Sequence, residues 1–420
     1  MSINNQQGAI QAGAETSLIR NPQFVRLWAV GWMTGTTMWL EMLLFALVAL
    51  DLTGSPFLVS LIFFLRWMPM LFGFGLGIVA DRINRKYMMV VGLVLQSCVS
   101  GLLATLVIND SLRYWHLATL SLVIGLVSAT EFPVRRAMIS EVVRQSQVGR
   151  AVSLEQAGSS VFRMLGPLAG GIFLETIGAH GGFLLGACLY AIGLIISLTL
   201  NYRPNRVAAD LGSARNALSA GVQYIRGSQI MIGVLVVTLI LNGFGFSFIS
   251  QQPIIARQQL MVSDFFIGVL QSVEGLGALV GAMIVALFAR PRHYTHIFTS
   301  ASCLYLVAIL IYSLSNTYWL SLIIMFCGGI GMSCFATMQS AMVIYVSSAA
   351  MRARVLGAIG VFIALGLFTQ PVIGITASIL SPSTAILLSA SIGIVCMILT
   401  ILFIPSLRSA STIDEESTQI

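Results

Sequence analysis

Twelve long apolar runs limit this chain to one class of fold. A helix that crosses a bilayer needs about 20 consecutive, mostly apolar residues. Runs of that kind lie at 24–50, 57–80, 87–108, 115–137, 150–177, 180–201, 229–251, 265–289, 295–314, 317–346, 355–380 and 383–404, here numbered spans 1 to 12. Only 9% of the 420 residues are charged and 57% are hydrophobic, with a mean hydropathy of +0.92. Soluble domains carry about 25% charged residues, so a chain like this one cannot coat a water-facing surface. The runs are long and rich in Gly, Leu and Ala, not short and alternating, which selects helices over a barrel. Residues 1–22 are polar and the first run is too long for a signal-peptide core, so no cleavable signal is expected. The expected fold is an all-α membrane protein of twelve transmembrane helices.

The net charge of +7 could point to a nucleic-acid partner, but its distribution points to topology. With the N-terminus placed in the cytoplasm, 18 of the 22 basic residues fall on the cytoplasmic side, Arg113 and Arg257 fall outside, and Arg66 and Arg163 lie within spans. This positive-inside bias puts both termini in the cytoplasm, in a bacterial inner membrane. The six cysteines all lie within spans and suit packing better than a disulfide framework. The chain has no nucleotide-binding loop, no nucleophile–base–orienter signature and no zinc spacing. No cofactor, no metal and no enzymatic activity are expected. His293 and His296 adjoin Arg290 and Arg292 and suit headgroup contact better than a metal.

A shift of 204 residues superposes the two halves of the sequence. Gly73 and Gly77 fall on Gly277 and Gly281, Gly125 on Gly329, Arg150 on Arg354, Pro167 on Pro371, and Gly170 on Gly374. Six spans separate the copies, so both insert with the same orientation. Two parallel six-helix repeats with a site between them form a transporter architecture. The expected organisation is a cytoplasmic segment at 1–22, a six-helix bundle at 23–201, a linker at 202–228, a second bundle at 229–404, and a cytoplasmic tail at 405–420. In the linker, Leu218, Val222 and Ile225 mark an amphipathic helix.

Between spans 2 and 3 stands Gly77-Ile-Val-Ala-Asp81-Arg82-Ile-Asn84-Arg85-Lys86. It resembles the loop motif of the major facilitator superfamily, with Asn84 in place of a second glycine. Asn is the usual substitute where a left-handed backbone is needed. The resemblance implies that Asp81 holds the outward-facing state by reaching across the two halves. In span 5, Gly166-Pro167-Leu-Ala-Gly170-Gly171 resembles the end of the superfamily's antiporter motif, with Phe162 where an earlier glycine would stand. Three further stretches, Asn21-Pro-Gln-Phe24-Val-Arg26-Leu-Trp28, Asp51-Leu-Thr-Gly54-Ser-Pro56 and Pro133-Val-Arg135-Arg136-Ala137-Met138-Ile139, look like bacterial exporters of the siderophore and macrolide type. That branch implies export of a small organic molecule driven by inward proton flow; membrane lipids are the other expected partners, and a monomer is the expected state.

Ionisable groups at membrane depth are costly, and they pair or line an aqueous cavity. Counting about 1.5 Å of rise per residue puts Glu41 and Arg66 at one depth, and Arg163 and Glu274 at another. The first two are expected to pair within the N-terminal half. The superfamily's architecture sets helices 5 and 8 face to face, so the second two form an expected latch between halves. Glu41 ranks first and Glu274 second as proton carrier. Glu131 is expected to pair with Arg135 at i+4, and Glu155 and Glu175 to lie at the interface. The stretch Asn242-Gly-Phe-Gly-Phe246-Ser-Phe-Ile-Ser-Gln251 is expected to loosen span 7, with Asn242, Phe246, Gln251 and Glu41 facing cargo. The resulting reading is proton-coupled export of a lipophilic or amphipathic molecule by alternating access. A lysophospholipid or uncoupled carrier and a non-transporting receptor are the alternatives.

Overall fold

The computed structural model describes residues 18–72, 83–202, 223–348 and 351–407. The loop residues Gly77, Asp81 and Arg82, the linker residues Leu218 and Val222, and the acidic tail lie outside that set. Among the described residues, eleven helices are long and apolar enough to cross a membrane, joined by the shorter Pro56–Phe72 of span 2. Span 1 is helical over Pro22–Thr53, span 3 over Arg85–Ile108, span 4 over Tyr114–Val142, span 5 over Val148–Thr176 and span 6 over Ala179–Leu198. In the second half, span 8 is Asp264–Phe288, span 9 Tyr294–Leu314, span 10 Tyr318–Val346 and span 12 Pro382–Phe403.

Local sequence sets the ends of these helices. Asn21 accepts hydrogen bonds from the amides of Gln23 and Phe24, and Pro22 opens the first turn, the arrangement that satisfies orphan helical donors. Gly54 ends the same helix at φ 63°, where a side chain would be strained. Ser55 before Pro56 and Ser381 before Pro382 cap spans 2 and 12 in the same way. Asn84 departs from expectation. Its backbone is extended (φ −63°, ψ 118°), not left-handed, and its side chain caps span 3 by accepting from the Lys86 amide. The asparagine is therefore used as a cap.

Two spans are interrupted. Span 7 runs as an α-helix over Gln229–Ile240, widens to a π-turn at Leu241–Gly245, and tightens to a 3₁₀ stretch at Phe246–Ser250. This is the region in which loosening was expected. Span 11 breaks between Arg352–Gly366 and Thr369–Ile379. The Thr369 hydroxyl donates across that break to Gly243 O of the π-turn and to Gly366 O, so the two interruptions support one another.

Hydrogen bonds between helix ends establish the threading. Lys86 at the start of span 3 donates to Leu198 O and Leu200 O at the end of span 6, at 3.0 and 2.6 Å. Asn21 reaches Val142 O at the end of span 4. The starts of spans 1 and 3 and the ends of spans 4 and 6 thus share a face, called here the terminal face; the opposite face is distal. Large apolar side chains point outward on both halves, with Ile195, Leu287 and Phe403 exposed by 63, 73 and 80%. No soluble surface carries such residues in bands; the chain is an integral membrane protein.

Glycine sets how closely the helices approach inside each half. A Cβ at Gly125 of span 4 would stand 2.0 Å from Arg66 O of span 2, and a Cβ at Gly329 of span 10 would stand 2.0 Å from Glu274 O of span 8. The 204-residue repeat is therefore a repeat of backbone contact. Between the halves, spans 5 and 8 touch at Gly171 and Gly268, where an added Cβ would meet the partner's Cα at 3.0 Å in either direction. Spans 2 and 11 meet where Gly374 lies against Phe57 and Ser60.

Candidate functional site

The seam between the halves carries the polar contacts that a moving joint needs. From the distal edge inward, Arg257 pairs with Asp51 of span 1 and with Asp264 of span 8. The Phe57 amide donates to Ser378 Oγ at 3.0 Å. Gln251 Nε2 donates to Ser60 Oγ at 2.7 Å and to Pro56 O at 3.2 Å, and Ser60 and Ser250 hydroxyls lie 3.0 Å apart. These contacts seal the distal side.

Behind the seal, Arg163 Nη2 of span 5 stands 2.9 Å from Glu274 Oε1 of span 8. Glu274 is 3% exposed, and the Arg163 guanidinium also lies over the Trp39 ring of span 1 at 4.5 Å. A flat cation on an indole face gains from the ring quadrupole and stays in place. Span 5 presents this arginine through the glycine motif. Gly166 lies where a Cβ would meet Trp39 Cβ at 2.5 Å, and Pro167 O faces Gly268 at 2.5 Å from its virtual Cβ. Gly170 meets Leu40 of span 1 while Gly171 meets span 8. The motif is thus the three-way joint of spans 1, 5 and 8. Phe162, in place of the motif's earlier glycine, fills a notch left by Gly35 on span 1 and packs edge-on to Trp32 at 4.9 Å. A small cavity of about 10 Å³, lined by Trp39, Met42, Arg163, Gln252 and Glu274 among others, adjoins the pair; it is the size of about one water molecule.

The second acidic site lies wholly inside the N-terminal half. Glu41 is fully buried. Its Oε2 accepts from Arg66 Nη2 at 2.9 Å and from the Tyr190 hydroxyl at 3.3 Å, and its Oε1 accepts from Ser100 Oγ. Spans 1, 2, 3 and 6 each supply one member. Ser100 and Tyr190 are absent from the sequence reading, although a serine and a tyrosine on apolar spans were signals of the same kind as the charges.

Nearer the terminal face, Arg135 donates to Glu131 at 2.7 Å, one turn earlier on span 4, and to Glu155 of span 5 at 2.8 Å. Arg136 adds a contact to Glu155 at 3.3 Å. Glu155 is 4% exposed, which corrects its expected interfacial position: two arginines draw it into the bundle. Glu175, by contrast, is exposed at its span end and accepts from the Phe265 amide. Arg85 pairs with Glu141, to which Tyr202 also donates. Burial, then the bond to Glu141, push the Tyr202 phenol up to about 12. Of the residues expected to face cargo, Phe246 packs on Tyr305 and Phe335 in the C-terminal half. Asn242 donates to Thr238 O in its own helix, and Gln251 belongs to the distal seal.

Two six-span halves meeting at a seam have the architecture of the major facilitator superfamily. Residues 14–419 match the family described as transmembrane secretion effector, and the chain belongs to it. It is 20% identical over 186 residues to the Staphyloferrin A transporter of Staphylococcus aureus, covering 44% of this chain and 47% of that one. It is 22% identical over 253 residues to the uncharacterized MFS-type transporter YfiS of Bacillus subtilis, covering 59% of each. The matched region thus spans about half the length of these relatives. Among solved structures, an inward-facing bacterial homolog of the human lysosomal transporter Spinster superposes with a TM-score of 0.67 at 14% identity, covering 97% of this chain and 98% of that one. A POT family transporter in complex with 5-aminolevulinic acid superposes with a TM-score of 0.72 at 13% identity, over 91% of this chain and 96% of that one.

Proposed function

We propose that this protein exports a siderophore- or drug-like organic molecule from a bacterial cytoplasm in exchange for protons. The terminal face is the cytoplasmic one in this reading, supported by the 18 basic residues that the sequence assigns to the cytoplasmic side. The similarity to the Staphyloferrin A transporter of Staphylococcus aureus supports the siderophore-type cargo.

The observation that carries the proposal is the Arg163–Glu274 pair across the seam. When the halves part on the distal side, the carboxylate loses its guanidinium in an apolar wall. An isolated buried carboxylate takes up a proton, and in this orientation the proton comes from outside. When the distal side closes, the guanidinium returns and displaces that proton. Glu274 thus exchanges partner for proton once per cycle, whereas the donors around Glu41 all move with one half. The geometry favours Glu274 over Glu41 as the carrier that rocking controls.

The test uses purified protein in liposomes loaded with a pH-sensitive dye and a panel of siderophores, lipophilic drugs and lysolipids. Cargo-dependent proton movement that disappears in Glu274→Gln supports the proposal. Cargo movement indifferent to the proton gradient and to that substitution sinks it and leaves an uncoupled carrier.

A further inference from the structure

A line of buried polar side chains runs through the N-terminal half, from Glu41 to the terminal face, without touching the seam. Ser100, bonded to Glu41, lies one turn from Gln96 on span 3, and Gln96 Nε2 donates to Ser128 Oγ of span 4 at 3.3 Å. Ser128 lies one turn from Glu131 on span 4. Glu131 is bonded to Arg135, Arg135 to Glu155, and Glu155 to Arg136. Arg136, 37% exposed, opens the line to the surface together with Gln156. Residues one turn apart on a helix stand about 5–6 Å from Cβ to Cβ, a gap that one water bridges.

Orphaned polar atoms mark the same line. Among the described residues, Arg66 Nη1 at one end and Gln96 Oε1 in the middle are buried without a hydrogen-bond partner, while at the other end Glu155 Oε2 and Arg136 Nε face each other as an ion pair at 3.3 Å. Arg66 and Gln96 are 5 and 2% exposed. Buried polar groups in native proteins are satisfied by protein or by ordered water. In the C-terminal half, Gln339, which the 204-residue shift aligns with Arg135, is bonded directly to Thr238.

We infer that the N-terminal half holds a hydrated proton path joining Glu41 to the terminal face, separate from the route the cargo takes between the halves. Every member belongs to one rigid half, so the path stays connected whichever way the halves rock. A proton moves along it by exchange between waters and the carboxyls of Glu155, Glu131 and Glu41, with no net chemistry. The ionisable groups that face Glu41 are Arg66 from span 2 and Tyr190 from span 6, with Ser100 from span 3; span 5 presents glycines to the opposite side of span 1. The path includes no residue of the seam and not Glu274, so it goes beyond the antiport reading and is testable apart from it.

The experiment is a pH jump on the full-length protein in liposomes, followed by infrared spectroscopy of the protonated carboxyl band that Glu41→Gln removes. A jump on the terminal side should change that band, and a jump on the distal side should not. Gln96→Leu, which keeps the volume, and Ser128→Ala should each slow the response by at least about tenfold, the scale of losing one proton-relay group. Gln96→Glu should retain it, and Gln339→Leu in the other half should leave it unchanged. Equal rates in wild type, Gln96→Leu and Ser128→Ala, a response to the distal jump, or no Glu41 band at all would overturn the inference. If cargo moves without protons while the band still responds from the terminal side alone, the path stands and the antiport reading falls.

Discussion

Removing one member of a buried ion pair leaves the other charge unpaired, at a cost of about 3–5 kcal/mol. Arg163 and Glu274 form such a pair across the seam. Arg163→Glu and Glu274→Arg should each lower cargo transport by at least about tenfold, and the double reversal should recover much of it; liposome uptake assays decide, and a double mutant as inactive as the singles removes the latch. A second residue-scale expectation concerns pH. Tyr202 is held protonated with its phenol pushed up to about 12, against an ordinary value of 10.0. A group whose folded value is raised stabilises fully below its unfolded value and loses that contribution as pH rises through the folded one. The clasp of Arg85, Glu141 and Tyr202 should therefore weaken between pH 10 and 12, and Tyr202→Phe should flatten that part of the melting-temperature profile. Axial depth was legible in the residues: a regular helical rise put Glu41 level with Arg66 and Arg163 level with Glu274, and the resemblance supplied the facing of spans 5 and 8. Radial direction was not. Glu155 sits near the end of its span in sequence, and nothing there says that Arg135 and Arg136 turn it inward.

At the scale of elements, helix approach is set by glycine shelves, and these give opposite expectations at similar-looking positions. Alanine at Gly125 or Gly329 would drive a methyl group onto a backbone carbonyl 2.0 Å away. Backbone cannot yield as a side-chain tip does, so each substitution should cost about 1–3 kcal/mol and lower the melting temperature in detergent. A Cβ at Gly360 of span 11 meets nothing within 4 Å. Alanine there should be tolerated, or stabilise by up to about 1 kcal/mol through helix propensity. Equal losses at all three positions would show that the shelves do not control packing. The loosened end of span 7 was legible because two glycines and a cluster of polar residues interrupt an apolar run. The break in span 11 was not, since Gly366-Leu-Phe-Thr369 reads as ordinary apolar helix; it is explained only by Thr369 reaching the π-turn of span 7.

For the whole molecule, hydropathy and the 204-residue repeat were sufficient to give the span count and the pairing of halves, because a bilayer leaves the backbone few alternatives. The closed state was not legible, since it depends on which seam contacts are made at one moment. Those contacts predict a lock: cysteines at Phe57 and Ser378, bridged by a short thiol reagent, should hold the distal side shut and stop transport, with activity returning on cleavage of the bridge. Transport unaffected by a completed bridge would show that the distal side need not open. The twin glycine shelves have one more consequence. Gly125 holds the carbonyl of an arginine, and Gly329 holds the carbonyl of a glutamate. By the 204-residue shift Arg66 falls on Leu270 and Glu274 on Met70, so the cation of the first copy and the anion of the second stand one helical turn apart in the repeat. Two copies of a single scaffold would be indifferent to exchange, and a machine built from them would have no preferred order of events. Opposite charges set one turn apart beneath matching glycines break that equivalence, so the asymmetry between the halves is written in chemistry on a frame that is itself nearly symmetric.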